Sequence, residues 1–334
     1  MSVTFTVTFS LIDPQTPGSI KINILPKDIE TMAHRELAFQ IFIRFLMANN
    51  INIDINKKEI DEKIVSKILQ SLVTSNKDER ESAVALMRHV YLKCIKMRPY
   101  IRQQINILFH RFIYVNGNLH GISELLEIAN DIISGYNTPL KADIEDFLLK
   151  ILLPLHNTDS LAQYHGQLSD CVVLFVSRYP VLTATFVRSL IKIWPKTFTE
   201  KEILLLDEIE DILATTSQEE FLKMLVPLFC QIIECAVSPC YKVAERALLL
   251  CGSDGIMNHM EKNHKAIMPI VFPALYRISH RHCNAEIKKL VCTVLKMFLN
   301  INKDLFMKLK KGMTTLKVIN SRKENIVILG NNED

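Results

Sequence analysis

Arg88, His89, Lys93, Lys96, Arg98 and Arg102 crowd the stretch AVALMRHVYLKCIKMRPYIRQQ, residues 83–104, whose other positions read as a buried helix. A guanidinium is a planar donor fork that fits carboxylate or phosphate two bonds at a time. Tyr91, among these cations, can stack and donate a hydrogen bond. Such a row suits nucleic acid, an anionic membrane surface or an acidic peptide, and it also suits a plain solvated face. Lys93 and Lys96 read as solvated face.

Other groupings offer less. Glu208 and Asp211 stand one helical turn apart in an acidic run and read as a solvated or partner-facing edge, not as a paired-carboxylate centre. His280-Arg281-His282-Cys283 suggests metal at first sight, but positions i and i+2 point to different sides of a helix and nothing nearby completes a tetrahedron. Glu245 and Arg246 read equally as an internal pair or as a partner contact, Trp194 as core, and His165 as a structural hydrogen-bonder near a turn. The 8 cysteines contain no C-x-x-C pair and sit mostly in apolar runs, which implies buried reduced thiols. With 9 glycines and no phosphate-cradling motif, nucleotide chemistry is disfavoured. The residues point to a binding scaffold with no catalytic residue, no metal and no cofactor.

What must position these groups is helical. Apolar residues make up 49% of the 334, so a large core can be buried. The net charge of +4 is too mild to imply a nucleic-acid partner by itself. Residues 1–33 stand apart: VTFTVTF alternates like a strand before Asp13-Pro14 and Pro17-Gly18 mark turns, giving a short hairpin or an unordered arm. From residue 34 the period becomes helical. Helices are predicted over Glu59–Leu72, from a Ser75 or Asn76 cap through the basic stretch, over Ile101–Tyr114 and over Gly121–Ser134. An apolar helix carrying a proline then recurs, at Pro154, Pro195, Pro227 and Pro269, spaced by 41, 32 and 42 residues. That period matches HEAT-type repeats, each first helix kinked by its proline. The expected fold is all-α, a curved α-solenoid of HEAT-like helical repeats over 34–307, with a basic, polar, unordered tail over 308–334. The start lacks a basic segment followed by an apolar core, so no leader is expected. No apolar run reaches the ~18–20 residues of a membrane span. A cytoplasmic protein is expected, with the nucleus as second choice.

The segments RPYIRQQIN, RFIY, GISELLEIANDIISGY, PLK, FLLKILLPLH, YHGQLSDCVVLF, WPKT, VAERALLL and FPALYRIS occur in that order. Together they resemble the B-prime regulatory subunits of protein phosphatase 2A, from about Arg35 to Leu305. The resemblance implies a non-catalytic subunit that binds the phosphatase scaffold and catalytic subunits and brings substrates to them. It also implies a groove for short peptides of the form LxxIxE, acidic or phosphorylated, with Arg88, His89, Tyr91, Arg98, Ile128, Ile132 and Lys141 at matching positions. Ile128 and Ile132 would floor a pocket for the aliphatic residues. Glu79, Arg80, Glu208 and Glu245 would fall at contacts with the phosphatase subunits.

Four departures matter. The family reads His-Arg where this chain reads Arg88-His89, which moves the permanent charge about 100° around the helix, and a family histidine is replaced by Ile144. Losing one charge-assisted hydrogen bond, about 1.5–3 kcal/mol, weakens peptide binding by roughly ten- to a hundredfold. The loop Ser75–Arg80 lacks the family's earlier acids and proline, and LLCGSDG, with Gly252 and Gly255, loosens the helix end after VAERAL. The competing expectations are a degenerate helical scaffold that binds other proteins without the phosphatase and, further behind, a nucleic-acid-binding helical repeat.

Overall fold

The computed structural model describes residues 39–44, 62–115, 120–135, 145–281 and 284–315. The strand signal in 1–33, Lys141, Ile144, His282, Cys283 and the tail beyond 315 lie outside the described residues. Every regular element described is helical. The chain divides into two compact units, Met1–Pro139 with Thr158–Cys171, and Leu140–Asn157 with Val172–Asp334.

In the first unit α1 (Glu62–Leu72), α2 (Lys77–Lys93), α3 (Arg98–Tyr114) and α4 (Ile122–Ser134) follow one another. α2 packs on α1 and α4, and α3 packs on α1. α2 starts where predicted, at Asn76, whose side-chain oxygen accepts from the amides of Asp78 and Glu79. Two acids in its first turn suit the positive end of the helix dipole. Val84, Met87 and Val90 carry its buried face. A short 3-10 turn, Ile95–Met97, reverses the chain, and Pro99 opens α3, where its missing N–H costs nothing. Gly121 enters α4 with φ of 85°, and a Cβ there would lie 1.8 Å from the Leu72 carbonyl oxygen. Only glycine lets the α1 terminus and the α4 start approach this closely.

The second unit holds α5 (145–155), α7 (Thr183–Lys192), α8 (Thr199–Thr215), α9 (Gln218–Ala236), α10 (Tyr241–Leu250), α11 (Asp254–Arg281) and α12 (Ala285–Ile301); α6 (His165–Arg178) has residues in both units. α9 packs on α7, α10 and α11; α8 packs on α10 and α11; α12 packs on α10 and α11. This stacking of sequence neighbours is the all-α helical-repeat fold the proline period predicts.

The prolines do not all behave as that period suggests. Pro227 lies inside α9, and Pro269 and Pro273 lie inside α11. Pro154 follows a π turn, Leu148–Leu152, in which the Leu153 amide reaches five residues back to the Leu148 carbonyl. Pro195 is in no helix; it follows Trp194 in the turn after α7, where a residue without an amide donor ends a helix instead of kinking one. In α11 the residue with non-helical angles is Asn263, ahead of both prolines. α10 stops at Leu250, and Gly252 donates to the Leu249 carbonyl in the turn that follows, as the glycine there predicts. Helix also continues over 303–315, past the expected end of the repeat region at 307.

Candidate functional site

The predicted peptide-binding cations lie along α2 and the start of α3, and most are engaged within the chain. Arg98 donates from Nε to the Tyr91 carbonyl at 2.9 Å and from Nη2 to the Leu92 carbonyl at 3.2 Å. These are orphan carbonyls of the last turn of α2, so Arg98 caps that helix as well as facing outward. Its guanidinium also lies over the Tyr91 ring, 5.1 Å from the centroid. Arg102, one turn further along α3, donates to the Tyr91 hydroxyl at 3.4 Å. Tyr91 thus meets one arginine at its ring and another at its hydroxyl.

Arg88 does not stand open for a ligand. Its Nη2 approaches Glu127 Oε2 of α4 at 3.4 Å, and its Nε pairs with Asp131, one turn along the same helix. His89 is half-buried, and its Nδ1 donates to the Ala85 carbonyl at 2.7 Å, since a carbonyl can only accept. The guanidinium at position 88 therefore turns to α4, and position 89 offers an imidazole.

Ile128 and Ile132 share a face of α4, as their spacing of four predicts. Ile128 is 1% exposed and belongs to the core; Ile132, at 6%, lies just beneath the surface. Either residue alone reads as core.

The residues expected at phosphatase contacts fall into three groups. Arg80 is braced internally, with Nε on Glu124 at 2.6 Å and Nη1 on the Thr74 and Ser75 carbonyls. Burial works against the charge on Glu124, but hydrogen bonds from Ser123 and Arg80, and the charge of Arg80, hold its carboxyl below the usual range. Glu79 is buried in the first turn of α2. Both positions shape the 74–80 turn.

Glu208 is a correction. It is neither solvated nor partner-facing: its side chain is 0% exposed, and both oxygens lie 3.0–3.1 Å from His156 Nε2. Nδ1 of His156 meets the Leu153 carbonyl at 3.1 Å, and Phe186 packs edge-on to the ring. Burial pushes the imidazole toward neutrality, but the charge and hydrogen bond of Glu208 outweigh it and raise its pKa. The neighbouring acids Asp207 and Glu210 pair with Arg246 of α10. Arg246 thus takes partners on α8 and not Glu245, which stays half-exposed. Trp194 is core, donating to Glu202 at 3.2 Å.

Among the described residues no group of three or more His, Cys, Asp or Glu side chains could hold a metal ion. Of the cysteines, Cys171, Cys235 and Cys251 are buried as expected, whereas Cys230 and Cys292 are exposed. No single described helix is long and apolar enough to cross a membrane.

Sequence spacing does not point to the partners that matter here. Glu127 and Asp131 stand 39 and 43 residues from Arg88, and His156 stands 52 from Glu208. The one available signal is the i, i+4 spacing of Glu127 and Asp131, which puts two carboxylates on one face of α4 beside the isoleucine pair.

Residues 25–326 match the family described as protein phosphatase 2A regulatory B subunit (B56 family). Over 273 residues, 82% of this chain, it is 41% identical to the serine/threonine-protein phosphatase 2A 56 kDa regulatory subunit delta isoform of Oryctolagus cuniculus, covering 47% of that protein. It is also 41% identical to the phosphatase 2A regulatory subunit pptr-1 of Caenorhabditis elegans, covering 50% of it, and 40% identical to the human alpha isoform, covering 56% of it. The chain spans about half the length of the curated relatives it matches. The ordered segments from RPYIRQQIN to FPALYRIS thus carry the family relationship their order implied, and the chain belongs to the B56 family of protein phosphatase 2A regulatory subunits.

Proposed function

We propose that this chain is a non-catalytic regulatory and substrate-targeting subunit of a serine/threonine protein phosphatase 2A. It joins the phosphatase scaffold and catalytic subunits and presents short LxxIxE-type peptide motifs to them. The observation that carries the reading is similarity to proteins named as regulatory subunits, sustained over 82% of the chain. The α2–α3 surface supports the peptide half. It sets Tyr91, Arg98 and Arg102 side by side, with Ile132 just beneath the surface of α4. Aromatic, cationic and aliphatic groups are what an acidic peptide with aliphatic anchors needs.

The same surface supports weakened affinity. Arg88 is engaged by α4 and His89 is tied to the Ala85 carbonyl, so one charge-assisted bond to the peptide acid is lost. Binding should fall by roughly ten- to a hundredfold relative to a groove with arginine at position 89.

Assembly is the test. The purified chain is mixed with phosphatase scaffold and catalytic subunits and followed by size-exclusion chromatography with light scattering. A stable three-part complex is expected. A well-folded chain that stays out of the complex would overturn the reading in favour of a helical scaffold for other proteins.

A further inference from the structure

We propose that Glu127 and Asp131 set the charge preference of the peptide site by occupying Arg88, so that this chain accepts peptides with an uncharged residue where an acid would otherwise be required. The inference rests on the peptide-binding reading above and concerns the selectivity of that same surface.

Arg88 sits on α2, and both of its acidic partners sit one turn apart on α4. All three side chains keep 41–50% of their surface exposed, which places the cluster at the rim. The two acids run beside Ile128 and Ile132 on the same helix, each acid one residue ahead of an isoleucine. The fork of Arg88 is taken up at Nε by Asp131 and at Nη2 by Glu127.

Charge at this corner follows from that geometry. One guanidinium against two carboxylates leaves a net charge of −1. A peptide carboxylate arriving here meets a cation already paired and a slightly repulsive field. Whichever of the five guanidinium donors it reaches, it competes for Arg88 with two carboxylates already bonded to it. A glutamine of the same shape meets no repulsion. Arg98 and Arg102 are gathered around Tyr91, bonded to carbonyl and hydroxyl oxygens, so their positive charge is not offset there by a carboxylate and acids placed toward that ring keep their attraction.

Two fluorescent peptides sharing the aliphatic pattern and differing only at the last position, LxxIxE and LxxIxQ, are titrated by anisotropy. The wild-type chain should bind them within about threefold of each other. The variant E127Q/D131N frees the guanidinium without emptying the surface and should favour the glutamate peptide by about tenfold, the size of one charge-assisted bond at an exposed site. Arg88→Gln in the wild-type background leaves the two acids unopposed and should tilt the ratio toward the glutamine peptide. All the altered residues are half-exposed, and a thermal melt of each variant checks that the fold is kept. A wild-type preference for glutamate of tenfold, unchanged in E127Q/D131N, would overturn the proposal and leave the peptide site standing. Binding of neither peptide to any variant would overturn the peptide site itself, and the proposal with it.

Discussion

Glu208→Ala should be among the most damaging single changes in the second unit. Glu208 and His156 are both fully buried, and the carboxylate is the partner of His156 Nε2. Removing one member of a buried pair costs about 3–5 kcal/mol, because the survivor is left without its counterpart. If His156 sheds its proton to avoid this, Nε2 still lacks a hydrogen bond, at about 1–3 kcal/mol, and the lost side chain leaves a cavity beside the His156 ring. Replacing both members with apolar residues of similar volume, His156→Leu with Glu208→Met, removes the unmatched charge and should cost less than Glu208→Ala alone. Urea unfolding followed through Trp194 reads the effect, since this single tryptophan is buried in the same unit. The pair also makes a pH prediction. A histidine whose pKa is raised on folding contributes stability that is fully present below its unfolded value of 6.5 and is lost as pH rises through the folded value. Wild-type stability should therefore fall above pH 6.5 by an amount that is absent from the double variant. A loss under about 1 kcal/mol for Glu208→Ala, far short of what breaking a buried pair costs, would refute the reasoning. So would a double variant as unstable as the two single changes added together.

In the first unit, Gly121→Ala must hold a left-handed backbone, at roughly 1–2 kcal/mol, and fit a Cβ 1.8 Å from the Leu72 oxygen. Urea unfolding should show a loss well above that conformational cost. Gly166→Ala, with nothing within 4 Å of the new Cβ, should show none; equal behaviour of the two would sink the close-approach account. Alkylation at neutral pH followed by mass spectrometry should modify Cys230 and Cys292 first. Cys171, Cys235 and Cys251 should react only on unfolding, because burial pushes each thiol up to about 12. Native-state labelling of Cys251 at the rate of Cys230 would contradict its burial.

Local features of the fold were legible in the sequence, and pairings across it were not. The Asn76 cap, the break at Gly252 and the helical class follow from residue chemistry within a few positions, where spacing has direct geometric meaning. Glu208 was misplaced because its neighbours Asp207, Glu210 and Asp211 make a run that looks solvated. On a helix Asp207 and Glu210 share a face, where both reach Arg246, while Glu208 is turned inward and finds His156. Pro195 fitted the repeat spacing yet stands in a turn, because a proline after a helix and a proline within one satisfy the same period.

The basic stretch shows how such pairings bear on function. Read as a list, residues 83–104 offer a row of cations to any anion that approaches. In the folded chain Arg98 closes the end of α2, Arg102 steadies Tyr91, and Arg88 ties α2 to α4. Lys93 and Lys96 stay exposed to solvent, where a strongly hydrated ammonium on a flexible stem adds attraction but little geometric selection. A polyanion such as nucleic acid would need many phosphate contacts from this surface at once, yet three of the permanent charges are already spent on the protein's own carbonyls, hydroxyl and carboxylates. Under the proposed function, what remains around Tyr91 serves a single short peptide, held by aliphatic burial and a few directed hydrogen bonds, with its charge preference decided by how α4 engages Arg88.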